Sequence, residues 1–96
     1  MLENRKAILM NTKDNVAMVL EPIKENDRVA IIYDHEVIDY VDSQENIDIY
    51  HKIAIKSINY KEDVYKYGEI IGRAVKPISI GCHVHVDNLE GVTLKK

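Results

Sequence analysis

The sequence predicts an all-β fold with a few short helical turns at most. Short apolar segments alternate with turn residues throughout the chain, and no segment keeps a helical period over three turns. In addition, one strand–turn unit recurs along the sequence. A chain of 96 residues has room for one hydrophobic core, so we expect a single domain over residues 1–96.

The first half of the chain contains four predicted strands. Segment 6–10 (KAILM) is apolar and is followed by the turn-rich NTKDN, and segment 16–20 (VAMVL) is followed by Glu21-Pro22. Segment 28–33 (RVAIIY) and segment 36–40, which contains Val37 and Ile38, come next. Residues 42–48 (DSQENID) are polar and acidic, and they predict a loop.

The second half contains three more predicted strands. Segments 52–56 (KIAIK) and 82–86 (CHVHV) alternate with the period of two that is typical of a half-buried strand. Segment 69–75 (EIIGRAV) is apolar, and Gly72 within it indicates a bulge or a close backbone approach. Segment 59–65 comes nearest to a helical pattern but is too short to form a stable helix.

The recurring unit occupies residues 19–29, 54–64 and 74–84. In each copy a strand ends at a turn containing Pro or Ser, an isoleucine follows, and a valine stands six residues later. The matching isoleucines are Ile23, Ile58 and Ile78, and the matching valines are Val29, Val64 and Val84. The unit predicts one kind of bent hairpin packed on another, the alternative being chance recurrence of common residues.

Composition argues against several classes of partner. The net charge is −3, basic residues form no block, and aromatic residues make up 6%, so we expect no nucleic-acid partner. The apolar runs are far shorter than a membrane span, so we expect no membrane partner. Cys82 is the only cysteine and the first residues resemble no signal peptide, which together predict a cytoplasmic protein.

Three segments together resemble a known family. They are residues 15–29 (NVAMVLEPIKENDRV), 51–74 (HKIAIKSINYKEDVYKYGEIIGRA) and 80–91 (IGCHVHVDNLEG). In this order and at these intervals they are similar to the small SAF domain of altronate and galactarate dehydratases. The resemblance implies a β-clip fold. Because the chain ends at Lys96, it also implies a separate small subunit rather than a fused domain.

The resemblance further implies a hydro-lyase. This chain would be one subunit of that enzyme and would be inactive on its own. Its partners would be a large catalytic subunit and a sugar-acid substrate, and homo-oligomers are compatible with it. Family members depend on a divalent metal, iron(II) being usual. Two alternatives stay open: the small subunit of a sulfolactate-type sulfo-lyase, and a stand-alone SAF module that binds a carbohydrate or a protein.

Several positions depart from the family pattern. Tyr50 stands where Gly is more common, Asn26 lies near another such place, and residues 59–63 lack the usual Gly. Cys82 and Asp87 stand where Glu and His are common. These departures do not change the fold prediction, but they leave the identity of the substrate open.

Histidines are the strongest candidates for chemistry. On a strand, His83 and His85 share one face, which predicts that Val84 and Val86 face the core. Two neighbouring imidazoles can bind a divalent ion, and either can act as acid or base near neutral pH. His51, at the start of segment 52–56, is the third catalytic candidate. For His83 and His85 the alternative is a solvated strand face, and for His51 it is a polar residue at a strand end that bonds a loop carbonyl.

Four more residues are candidates for substrate binding. Lys66 offers a charge for a carboxylate, Tyr67 offers a phenol, and Gly68 would let the backbone approach a ligand. The alternative for this group is a plain hairpin turn. Asn88 either orients a substrate hydroxyl or forms the turn in DNLEG.

Overall fold

The computed structural model describes residues 4–91, and this part of the chain is all-β, which confirms the predicted fold class. The nine strands are β1 (Arg5–Ile8), β2 (Val16–Val19), β3 (Arg28–Tyr33), β4 (Glu36–Asp42), β5 (Lys52–Ala54), β6 (Asp63–Lys66), β7 (Glu69–Ala74), β8 (His83–Val84) and β9 (Leu89–Gly91). One sheet has the order β4-β3-β1-β2-β5-β8, and the other has the order β6-β7-β9. Only β1 and β3 pair in parallel among these strands. Residues 4–91 include no helix that could span a bilayer.

The predicted strands are all present but several are shorter than expected. Segment 82–86 is the clearest case, because β8 ends at Val84 and residues 85–88 form a turn in which the Asn88 N–H donates to the carbonyl of His85. Val86 was predicted to face the core, and this is wrong: its side chain is 80% exposed, since strand alternation stops before it. β6 and β9 were not predicted, and part of β6 lies in the segment closest to a helical pattern.

The recurring unit is the organising element of the fold, and it occurs four times rather than three. The fourth copy covers residues 43–53, within and after the predicted acidic loop. The copies pair: Ile23 and Ile47 exchange two backbone hydrogen bonds of 2.8 and 2.9 Å, and Ile58 and Ile78 exchange two of 2.8 Å. All four isoleucines are buried.

Each copy contains the same tight turn directly after its isoleucine. A backbone hydrogen bond closes every turn across four residues, and the third residue of each turn has a positive φ. This geometry is that of a type II turn, which favours Gly or Asn at the third position. The four residues at that position are Asn26 (φ 76°), Tyr50 (φ 69°), Lys61 (φ 72°) and Gly81 (φ 91°).

Pairing of the copies divides the core in two. We call residues 19–53 the first clip and residues 54–84 the second clip. The cluster around Ile23, Ile47 and Ile53 fills the first clip, and the cluster around Ile58, Ile78 and Val84 fills the second. Burial of these aliphatic side chains is the main stabilising contribution, since each contributes roughly 1.5–3 kcal/mol relative to exposure.

Candidate functional site

Three histidines come together where the two clips meet. His51 directly precedes β5, His83 lies in β8, and His85 follows β8. The antiparallel register pairs Lys52 with Val84, so one further step along each strand sets His51 opposite His85. The ring centroids are 4.7 Å apart for His51 and His85, 5.0 Å for His51 and His83, and 5.1 Å for His83 and His85. We call these three residues the histidine cluster.

The surroundings of His83 disfavour its charged form. Burial lowers the pKa of His83, and the neighbouring His51 and His85 lower it further, while the carboxylates of Glu45 and Asp87 act in the opposite direction. His51 Nδ1 and His83 Nε2 are 2.9 Å apart, so one of these two nitrogens donates a hydrogen bond to the other. Neutral imidazoles keep a lone pair available for a cation or a proton.

The donor set fits a divalent transition metal. One nitrogen from each histidine lies within 4.8 Å of the other two, and all three side chains are half-buried. Ligand nitrogens around a tetrahedral ion stand roughly 3.3 Å apart, given metal–nitrogen bonds of about 2.0–2.1 Å. The 2.9 Å contact between His51 Nδ1 and His83 Nε2 is slightly shorter than this, so the rings would have to move apart to hold an ion between them.

Asn88 supports the backbone of two members of the cluster, His83 and His85. Its side-chain Oδ1 accepts a hydrogen bond of 2.9 Å from the His85 N–H, and its Nδ2 donates one of 2.7 Å to the carbonyl of His83. Asn88 is buried, and both polar atoms of its amide are engaged by the backbone. This arrangement corresponds to the turn-forming alternative for Asn88.

Glu45 was not identified from the sequence. Its Oε2 accepts a hydrogen bond of 2.8 Å from the His83 N–H, which ties the first clip to the strand that carries His83. No sequence signal pointed to Glu45, because it lies among many acidic residues and 38 positions away from His83.

Lys66, Tyr67 and Gly68 form the β6–β7 hairpin turn, at a different place from the histidines. Tyr67 and Gly68 both have positive φ values, 59° and 75°, as a type I′ turn requires. The fully buried Asp14 accepts hydrogen bonds from the Tyr67 N–H (2.9 Å) and the Gly68 N–H (2.8 Å). Within residues 4–91, no hydrogen bond joins this turn to the histidine cluster.

Comparison with known proteins identifies the family. A family model described as the altronate/galactarate dehydratase SAF domain matches residues 5–92. The altronate dehydratase of Bacillus subtilis is 36% identical over 81 residues, and that of Escherichia coli is 33% identical over 81 residues. Each match covers 84% of this chain and 15% of the relative, so the chain spans only a small part of these enzymes' length.

A second group of relatives is a subunit of another lyase. The (2R)-sulfolactate sulfo-lyase subunit alpha of Chromohalobacter salexigens is 48% identical over 44 residues, which are 46% of this chain and 47% of that subunit. The family match, which covers nearly all of the described residues, confirms the resemblance seen in the sequence. The chain belongs to the SAF-domain family of the altronate and galactarate dehydratases.

Proposed function

We propose that this chain is the small subunit of a metal-dependent sugar-acid dehydratase and lines one wall of an active site completed by a large catalytic subunit. The observation that carries the proposal is the histidine cluster, in which both clips place imidazoles within 4.8 Å of one another. The family of the chain supports a hydro-lyase, since its relatives over 84% of the chain are altronate dehydratases.

The chemistry of such a reaction defines what the cluster would contribute. Dehydration removes a proton next to a carboxylate and expels a hydroxyl from the neighbouring carbon, so it needs a base, an acid and positive charge. A divalent ion, iron(II) in our proposal, would supply positive charge and polarise a substrate hydroxyl. His51, His83 and His85 would hold the ion, and an acid or base from the large subunit would exchange a proton with the substrate.

The small size of this domain supports the proposal of a large partner. Small domains seldom enclose a deep pocket, and the histidine cluster is half-buried rather than enclosed. The large subunit would therefore supply the remaining ligands and the opposite wall. The small subunit alone would be inactive.

Sulfite elimination is the second candidate. The observation that favours it is the 48% identity with the sulfo-lyase subunit alpha from Chromohalobacter salexigens. The two reactions share an acid substrate and an elimination step, and they differ in the leaving group. The histidine cluster would serve either reaction, so substrates must be compared directly.

The test is co-purification with the large subunit encoded beside this chain, followed by assays on altronate, galactarate and sulfolactate with ferrous ion. We expect activity in the wild-type complex and a loss of at least about 100-fold in His83→Ala/His85→Ala. The matched control is His35→Asn, because His35 is exposed in the β3–β4 turn and Asn tolerates its φ of 69°.

Each outcome decides between hypotheses. Loss of activity and of bound metal in the double variant, with the complex intact, would support the lyase proposal and the role of the cluster. An intact complex with unchanged activity in the double variant would make the histidines structural. The absence of any large partner would favour a stand-alone binding module.

A further inference from the structure

β8, the strand that carries His83, is short and lies at the edge of its sheet. It contains two residues, and within residues 4–91 it pairs with one strand only, β5. The outer edge of such a strand presents backbone N–H and C=O groups that no neighbouring strand can satisfy. The position of His83 therefore depends on contacts other than strand pairing.

Two side chains take the place of a neighbouring strand along this outer edge. Glu45 Oε2 accepts a hydrogen bond of 2.8 Å from the His83 N–H, and Asn88 Nδ2 donates one of 2.7 Å to the His83 carbonyl. Both main-chain polar groups of His83 are thus bound by side chains. Asn88 belongs to the turn that follows β8, whereas Glu45 reaches His83 from the first clip.

The backbone around Glu45 is itself fixed against the second clip. The Gln44 N–H donates a hydrogen bond of 2.8 Å to the carbonyl of Gly81, two residues before His83. The hydroxyl of the buried Ser43 donates one of 2.6 Å to the carbonyl of Glu45. The Glu45 carboxylate therefore extends from an anchored segment, so holding it in one place costs little additional conformational entropy.

The first clip holds His83 at two points. Glu45 binds its main-chain N–H, and His51 Nδ1 lies 2.9 Å from its ring Nε2. Within residues 4–91, Glu45 forms no ion pair with a lysine or arginine. A hydrogen bond to a carboxylate is stronger than one between neutral groups, so this contact constrains the His83 backbone effectively. Fixing both the backbone and the ring determines where the imidazole lies.

Glu21 provides an internal comparison for Glu45. It stands two residues before Ile23, just as Glu45 stands two residues before Ile47, so the two glutamates occupy the same position in two copies of the recurring unit. Glu21 Oε2 also accepts a main-chain N–H, that of Lys6 in β1, at 3.1 Å. The same contact thus supports β1 in one copy and the strand of a cluster histidine in the other.

We propose that Glu45 is a positioning residue, which holds His83 in the geometry at which the histidine cluster takes a divalent metal ion. Glu45 acts through the His83 backbone, in the way that partners behind metal-binding histidines orient them elsewhere. The identity of the bound group as a metal rests on the proposed function, while the placement of His83 rests on the hydrogen bonds that Glu45 and its neighbours make.

The test is a Zn²⁺ titration of the metal-free full chain against a chromophoric chelator, with two variants that separate reach from charge. Glu45→Gln loses the charge but keeps an acceptor oxygen at the same reach, so Kd should stay within about threefold of the wild type. Glu45→Asp keeps the charge but is one methylene too short, so Kd should rise about tenfold or more. The matched control Glu21→Asp, with the same shortening beside β1, should leave Kd within about twofold.

A second readout needs no metal. Nuclear Overhauser effects between the ring protons of His51 and His83 report the contact of the two rings, whose centroids are 5.0 Å apart. We expect these signals in the wild type, in Glu45→Gln and in Glu21→Asp, and their weakening in Glu45→Asp. Far-ultraviolet circular dichroism shows that each variant is folded before it is compared.

The outcomes separate this proposal from the proposed function. Equal Zn²⁺ affinity in Glu45→Asp and Glu21→Asp would overturn the positioning role, and so would a Glu45→Gln variant that binds as weakly as Glu45→Asp. A Glu45→Asp variant that no longer folds would make Glu45 a structural residue and would overturn it too. If the wild type binds no Zn²⁺, the proposed metal site fails, and the ring signals decide alone: their weakening in Glu45→Asp supports the placement of His83 by Glu45, and unchanged signals refute it.

Discussion

At the scale of single residues, the histidine cluster depends on one amide side chain. Asn88 ends β8 by hydrogen bonding to the backbone of both His83 and His85, and this turn directs the His85 ring toward His51. A continued strand would instead have placed Val86 against the core. The cluster therefore depends on the strand register that sets His51 opposite His85 and on the Asn88 turn that follows.

We predict that Asn88→Ala destabilises the fold by about 1–3 kcal/mol, because the half-buried His83 carbonyl and His85 N–H lose their partner. The same change should weaken Zn²⁺ binding by the chain about 10–100-fold, since the histidines lose their support. Urea unfolding and a Zn²⁺ titration measure the two effects.

The control for this prediction is Asp87→Ala. Asp87 is exposed, and its 4.0 Å ion pair with Lys76 is long and solvated, so the change should alter the free energy of unfolding by less than about 0.5 kcal/mol. Zn²⁺ affinity that is equal in Asn88→Ala and the wild type would contradict the supporting role of Asn88.

The candidate site could be predicted in part. His83 and His85 are two residues apart, so their proximity follows from the period of a strand, and His51 was chosen on the family pattern. Glu45 could not be chosen, because its contact with His83 depends on how the two clips dock rather than on any local pattern. The partner of the Tyr67-Gly68 turn, Asp14, was missed for the same reason.

At the scale of elements, the four type II turns determine the fold. Three of the four residues with positive φ at these turns are not glycine, and they occupy the positions at which the sequence departs from the family pattern. A side chain in the left-handed region costs roughly 1–2 kcal/mol. Consequently these three turns lower the free energy of unfolding below the value that glycine at the same positions would allow.

We predict that Lys61→Gly raises the free energy of unfolding by about 0.5–1 kcal/mol. Relief of the left-handed conformation outweighs the greater freedom of glycine in the unfolded chain. The neighbouring Tyr60→Gly should be destabilising, because Tyr60 has no positive φ and gains nothing from glycine. Thermal and urea unfolding of the two variants and the wild type test the prediction, and a Lys61→Gly variant that is no more stable than the wild type would refute it.

At the scale of the whole molecule, the sequence predicts the strands better than it predicts how they pair with one another. The all-β class and three turn units followed from local patterns. The fourth unit was missed because the polar Ser43 replaces the small apolar residue at its start, although Ser43 is buried and its hydroxyl donates to the carbonyl of Glu45. Pairing of Ile23 with Ile47 is a long-range contact, and no period in the sequence specifies it.

Gly81 lies at a place where the backbones of the two clips come close together. Its carbonyl accepts the N–H of Gln44, and a Cβ at Gly81 would lie 2.2 Å from the Asp42 carbonyl oxygen. We predict that Gly81→Ala costs about 2–4 kcal/mol, through this clash and its φ of 91°. Gly91→Ala is the control, since a Cβ there meets nothing within 4 Å and should change stability by less than about 0.5 kcal/mol. Equal unfolding midpoints for the two variants would contradict this account.

The histidine cluster draws on both halves of the molecule. His51 belongs to the first clip, whereas His83 lies in the second clip and His85 directly follows it, with the boundary between Ile53 and Ala54 inside β5. The donor set exists only while the two halves are docked. An ion bound there would contact both halves, so it would favour the docked arrangement over the separated one. Ion binding at the cluster and the stability of the domain would therefore be linked, and the domain would unfold at a higher temperature with the ion bound.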